Sequence, residues 1–138
     1  MSARFEWPVR VYIEDTDAGG IVFYANYLRY LERARTELMR SLGLGKAAIL
    51  EQDAMFVVHS LQLDYRQAAQ LDDELIATAR ITKAGRASMV FEQFVYRDGE
   101  EMMGGTVKIA CVHTQSLKPV AIPGEILQAV KRVHKQHA

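Results

Sequence analysis

From Tyr27 onward, apolar residues recur at helical spacing: Tyr27, Leu28, Leu31, Ala34, Leu38 and Leu42. Arg29, Glu32, Arg33, Thr36 and Arg40 fall on the opposite side. The pattern predicts one amphipathic helix over about residues 25–42, with Asn26 or a nearby loop residue capping its start and Gly43 as its stop. It is the one long amphipathic element ahead of a run of strands, so a sheet formed by those strands must bury its apolar face on it. Arg35 breaks the pattern, because at about 100° per residue it falls inside the apolar arc. A buried arginine needs a partner; Glu32, three residues earlier, or a carboxylate on another subunit would serve. The role reads as structural.

Around the helix the period is that of strands. Val9, Val11 and Ile13 alternate with Arg10, Tyr12 and Glu14, which predicts a first strand over about residues 5–13. After a connector around Lys46–Gln52, Val57, His59, Leu61, Leu63 and Tyr65 share one face of a strand beginning near Met55, with Ser60, Gln62, Asp64 and Arg66 on the other. Another strand runs through Leu75, Ala77, Ala79 and Ile81. A turn at Lys83-Ala84-Gly85-Arg86 leads into a third over about residues 87–97, and a fourth covers about 101–114. Asp98-Gly99 between these last two is the strongest hairpin signal, since a tight type I′ turn needs positive φ at both central positions. Pro123 suits the first turn of a closing helix. Consecutive strands joined by short turns imply an antiparallel meander. The reading is an α+β domain spanning residues 1–138, a five-stranded antiparallel sheet wrapped around one long helix.

Bulk properties narrow the function classes. Seventeen basic residues balance seventeen acidic ones, so the chain lacks the electrostatic footprint of a nucleic-acid binder. The tail Lys131-Arg132-Val133-His134-Lys135 reads as the cationic end of a helix whose other face carries Ile126, Leu127, Val130 and Val133. A single cysteine, Cys111, rules out an intramolecular disulfide and points to a reducing compartment, with the cytoplasm as default. No apolar run approaches the ~18 residues of a spanning helix, and the N-terminus has no signal-peptide core. His134 and His137 suggest no third ligand, so no metal site is expected. There is no G-x-S-x-G elbow and no Gly-rich phosphate fingerprint.

The chemistry concentrates in the loop Glu14-Asp15-Thr16-Asp17-Ala18-Gly19-Gly20. Taken alone, its carboxylates and glycines fit an Asx turn. Yet the segment Tyr12 to Leu28, followed by Leu31-Glu32-Arg33-Ala34-Arg35-Thr36-Glu37, resembles the signature of the 4-hydroxybenzoyl-CoA thioesterase family of hotdog-fold proteins. Within it, Val9-Arg10-Val11-Tyr12 with the acidic loop and Glu32-Arg33-Ala34-Arg35-Thr36-Glu37 is similar to the branch encoded beside the Tol-Pal cell-envelope genes.

The resemblance implies an acyl-CoA thioesterase acting on short- or medium-chain or aromatic acyl groups. It implies no cofactor, CoA being part of the substrate. It makes Asp17 the catalytic carboxylate, as nucleophile or general base, and the backbone N–H of Tyr24 the oxyanion donor. The physical case runs alongside: thioester hydrolysis needs oxygen delivered to the carbonyl carbon and a place for the oxyanion, which unpaired N–H groups at a helix start supply. Asp15 is then expected to be a solvated loop acid. Gly19, Gly20 and Val22 are expected beside the substrate, the glycines through a tight backbone or as an ordinary turn. His59 could line the acyl site or be a satisfied, semi-buried histidine, and Ser60 beside it could serve a neighbour's site. Lys83 and Arg86 are candidates to meet the nucleotide phosphates, with a solvated turn as the favoured alternative. Many members of the branch carry Tyr-His where this chain has Phe23-Tyr24, so any part that His plays in them is absent or altered here.

Hotdog relatives associate as dimers with a continuous sheet, often paired into tetramers, so a homotetramer with active sites at subunit boundaries is implied. A competing reading makes the chain chiefly a partner of acyl carrier protein or phospholipid-synthesis enzymes. A hotdog dehydratase ranks last, because the helix contains no histidine.

Overall fold

The computed structural model describes residues 4–44 and 52–137, with side chains as far as Val133. The expected connector near 46–52, apart from Gln52, lies outside the described residues, as do the side chains of His134 and His137. Five strands, β1 (Phe5–Arg10), β2 (Ala54–Tyr65), β3 (Glu74–Ala84), β4 (Ser88–Arg97) and β5 (Glu100–His113), join two helices, α1 (Tyr27–Ser41) and α2 (Gly124–His137). The sheet is antiparallel throughout, in the order β1-β3-β4-β5-β2.

α1 forms where the 3.6-residue period placed it, burying Tyr27, Tyr30, Leu31, Ala34, Leu38 and Met39. Each large side chain of that stripe is worth about 1.5–3 kcal/mol of transfer free energy. The helix ends as expected at Gly43, whose φ of 76° allows the N–H of Gly43 to reach the Arg40 carbonyl and that of Leu44 to reach the Met39 carbonyl. Its start differs: residues Tyr24–Asn26 form a 3-10 turn first, and Asn26 makes no side-chain capping bond. The β4–β5 hairpin carries the expected pair of positive φ values, 50° at Asp98 and 82° at Gly99.

Two expectations about the sheet need correction. The meander holds only for β3, β4 and β5; β2 crosses over and pairs with β5 at the far edge. Residues 66–73 make that crossing, and their backbone is spent on the N-terminal loop, through Val22 N–H to the Ala69 carbonyl and Leu71 N–H to the Gly20 carbonyl. α1 is also not the only cover, since Ile126, Ala129, Val130 and Val133 of α2 are buried as well.

The two edges of the sheet are unlike. β1 is six residues long with Pro8 at its middle, a residue that cannot donate to a further strand. β2 has twelve residues and no proline, and exposes Val57, Val58, Leu61 and Tyr65.

Asp73, at the end of the crossing segment, accepts from Arg97 Nη1 and from the Gln70 N–H, both at 2.8 Å. Burial would raise its carboxyl, but the Gln70 N–H and the Arg97 guanidinium outweigh that and hold it below the ordinary carboxylate range. A depressed folded value contributes stability above the unfolded pKa of about 3.9 and loses it as pH falls through the folded value. Asp73→Asn is therefore expected to cost up to about 1 kcal/mol at pH 7, the scale of a solvent-screened pair. In urea titrations at several pH values, its gap from the parent should narrow below about pH 4.

Candidate active site

The alternation of Val9 and Val11 continues on paper to Ile13, but β1 stops at Arg10 and Ile13–Asp15 wind into a 3-10 turn that leaves Ile13 76 % exposed. Asp15 causes the break. Its Oδ2 accepts the Tyr12 N–H at 2.8 Å, and its backbone N–H returns to the Tyr12 carbonyl at 2.9 Å. Asp15 is thus not the solvated acid expected: it is 4 % exposed and sits with Asn26 and Tyr30 in a buried polar group. Burial first, and then the Asp15 carboxylate, push the Tyr30 phenol above its ordinary value.

The chain then doubles back. Thr16 bridges Val22 in antiparallel fashion, the Asp17 N–H meets the Ile21 carbonyl at 2.9 Å, and the Phe23 N–H meets the Asp15 carbonyl at 3.0 Å. Gly20, with φ 81°, makes the return possible and gives its N–H to the Asp17 carbonyl at 3.0 Å. The Asp17 side chain is exposed, and its Oδ1 accepts the Gly19 N–H at 2.8 Å in an Asx turn. Its second oxygen has no partner among the described residues.

This pairing sets Asp17 opposite Ile21, and Tyr24 lies three residues further along that extended arm, a Cα separation on the order of 10 Å. Tyr24 opens the 3-10 turn that runs into α1, so no residue of that turn accepts its N–H. The Phe23 and Asn26 N–H groups are used, whereas those of Tyr24 and Ala25 donate to no described residue. The Tyr24 ring is 66 % exposed and lies against Phe23 at 4.8 Å between centroids. Gly19, Gly20 and Val22 therefore stand with Asp17 and the Tyr24 N–H on one loop. Val22 itself is buried, 4 % exposed, and shapes the loop from beneath.

The remaining candidates lie elsewhere in the chain. Lys83 and Arg86 sit at the β3–β4 end of β3, nine residues or about 30 Å along the strand from Glu74, beside which the loop is anchored. One chain does not bring them to Asp17, and both are exposed, as a solvated turn would be. His59 was expected on an apolar face, but β2 has an irregularity between Val58 and Ser60 that inverts the alternation. It leaves His59 exposed, with Nδ1 at 3.4 Å from Ser60 Oγ. His59 and Ser60 are five to six residues, roughly 20 Å, from Tyr65, which touches Tyr24.

Sequence reasoning missed a cavity of about 490 Å³ between α1 and β2, lined by Met39, Leu44, Met55, Phe56, Val57, Val58, Phe91 and Ile109, with Glu32, Arg35 and Thr36 along one side. The misplaced Arg35 was the available signal. Its hydrogen-bond partner is Gln93 Oε1, at 2.8 Å from Nη1, rather than a carboxylate. Burial lowers its guanidinium from the ordinary value, against the pull of nearby Glu32.

Comparison with known proteins matches residues 19–103 to the thioesterase superfamily. The chain belongs to that superfamily. It is 45% identical over 126 residues to the acyl-CoA thioesterase YbgC of Haemophilus influenzae, covering 91% of this chain and 93% of that protein. With the acyl-CoA thioester hydrolase YbgC of Escherichia coli it shares 38% identity over 129 residues, 93% of this chain and 96% of the other. Among solved structures, a probable thioesterase from Bartonella henselae superposes with TM-score 0.82 at 29% identity, covering 87% of this chain and 99% of that one. The DHNA-CoA thioesterase of Staphylococcus aureus gives TM-score 0.90 at 19% identity, covering 96% and 91%, and demonstrates the shared hotdog fold.

Proposed function

We propose that this superfamily member hydrolyses acyl-CoA thioesters to the free acid and CoA, with Asp17 as its catalytic carboxylate and the Tyr24 N–H as oxyanion donor. The observation that carries the reading is the antiparallel loop that holds an exposed Asp17 on one arm and, on the order of 10 Å away on the other, a Tyr24 N–H with no described partner at the start of a helix. A thioester carbonyl oxygen seated on that N–H gains charge as the carbonyl carbon is attacked, and a fixed donor there stabilises the transition state more than the ground state. Asp17 can attack the carbon itself, expelling the CoA thiolate and leaving an acyl-aspartyl anhydride for water to open. Alternatively, it takes the proton of a water that attacks.

The acyl tail is assigned to the cavity between α1 and β2. Its nearest helical lining residue, Glu32, is eight residues from Tyr24, about 12 Å along the helix, which suits medium-length acyl groups. The long bare edge of β2 supports pairing with a second copy, and two such dimers would make a homotetramer. His59 and Ser60 would then serve the neighbour's site, since they lie far from their own Tyr24, whereas Val58 lines the cavity of its own chain. A cytoplasmic location goes with the single cysteine and the CoA substrate.

The test is thiol release from purified protein across acyl-CoA esters of rising chain length and benzoyl-CoA, with the same acyl groups on acyl carrier protein. The expectation is turnover of the CoA esters, at least tenfold higher kcat/KM for medium than for acetyl chains. No release from any CoA ester would overturn the assignment, and preference for the carrier-protein esters would move the substrate to that partner.

A further inference from the structure

Tyr65, the last residue of β2, has its hydroxyl 2.9 Å from the backbone carbonyl oxygen of Tyr24, to which it donates. Its ring stands edge-on to that of Tyr24, at 6.4 Å and 87°, and packs on Tyr27 at 5.6 Å and 62°. Tyr27 is itself buried and fixed, its hydroxyl accepting the Ala69 N–H at 3.0 Å. Burial and the two neighbouring tyrosines hold the Tyr65 phenol above its ordinary value, so it remains a donor through the neutral range.

The bond falls on a particular peptide plane. The carbonyl of Tyr24 and the N–H of Ala25 belong to one rigid trans unit and point in opposite directions. Anchoring the oxygen therefore sets where the Ala25 N–H points, next to the proposed oxyanion donor, the Tyr24 N–H of the preceding peptide. Both N–H groups are without a described partner. Accepting a hydrogen bond at the carbonyl also polarises the amide and strengthens its N–H as a donor. Nothing else described ties this short 3-10 turn to β2 through the Tyr24 carbonyl.

We infer that Tyr65 is a positioning residue for thioester hydrolysis: its hydroxyl holds the Tyr24–Ala25 peptide so that the Ala25 N–H faces the substrate carbonyl beside the N–H of Tyr24. The inference rests on the oxyanion role proposed for Tyr24 and adds to it a second donor, the Ala25 N–H, with the group that fixes its direction. Tyr65→Phe keeps the ring contacts and removes only the hydroxyl. Its expected effect is a fall in kcat of about 5- to 20-fold with KM changed less than twofold, because the lost alignment matters most when charge develops on the oxygen.

A carbonyl-13C acyl-CoA bound to the Asp17→Asn protein, read by difference infrared spectroscopy, separates the possibilities. The bound carbonyl stretch is expected below that of free ester, and adding Tyr65→Phe should remove at least half of the displacement. A displaced stretch that Tyr65→Phe leaves unchanged would overturn the positioning role while the Tyr24 donor stands. No displacement with Tyr65 intact would overturn the donor reading and this inference with it. The spectrum is taken on folded protein at low temperature, so a lowered melting point in Tyr65→Phe does not blur the outcome.

Discussion

Asp17→Asn is expected to lower kcat by about 10³-fold or more, near the loss seen when a positioned general base is removed, while the melting temperature and oligomeric state stay those of the parent. The structural reason for expecting an intact fold is specific. The Asp17 side chain's one described bond is from the Gly19 N–H to Oδ1, and the amide oxygen of asparagine accepts that bond equally well. An Asx turn alone would make the substitution silent in every assay. A catalytic carboxylate makes it silent in stability and severe in turnover, since the amide is neither nucleophile nor base. Thiol release with saturating acyl-CoA, alongside thermal melts and gel filtration, checks both halves; retained turnover would remove Asp17 from the mechanism. A single turnover in 18O water with the parent protein then bears on the route, because unlabelled product acid requires that the oxygen came from the carboxylate.

What could be read from the chain depended on whether a feature is local. The helix of Tyr27, Leu31, Ala34 and Leu38, its stop at Gly43, and the Asp98-Gly99 turn are each set by a few neighbouring residues, and all appear as expected. The loop bearing Asp17 was equally legible as a segment. Most of what failed was non-local. One local feature was missed too: β1 ends three residues before Ile13, where the Asp15 carboxylate folds back onto Tyr12, a bond that strand alternation does not register. The face of His59 depended on an extra residue in β2, visible only against its partner strand β5. Lys83 and Arg86 have the right chemistry for phosphate, but the length of β3 separates them from the loop. The place of β2 beside β5 could not be read from turn lengths, because its connection serves the N-terminal loop rather than a hairpin. The same limit applies to Arg35. Its position in the apolar arc was evident, but its partner lies 58 residues away in β4.

That partner carries the largest stability effect expected in the protein. Gln93 is wholly buried, and its side chain joins three elements: Oε1 accepts from Arg35 Nη1 at 2.8 Å, and Nε2 donates to the Leu31 and Thr78 carbonyls, both at 3.0 Å. The register of β3 and β4 passes from Ala77 opposite Val95 to Arg80 opposite Glu92. In that interval side chains take ladder positions, with the Phe94 N–H on Thr78 Oγ1 at 2.9 Å and Gln93 on the Thr78 carbonyl. Gln93→Leu keeps nearly the same volume but strands a carbonyl in the sheet and a half-buried guanidinium. Losing a hydrogen bond to a charged group costs about 1.5–3 kcal/mol, against a whole-domain stability of about 5–15 kcal/mol. Urea denaturation of Gln93→Leu is expected to show a loss of that order. Arg35→Met combined with Gln93→Leu should be more stable than Gln93→Leu alone by about 1–3 kcal/mol, since removing both partners costs less than orphaning one. A loss under about 1 kcal/mol in the single variant would mean that Arg35 turns to Glu32 or to solvent in the cavity it lines. The amide would then not be what permits a charge on the buried side of α1.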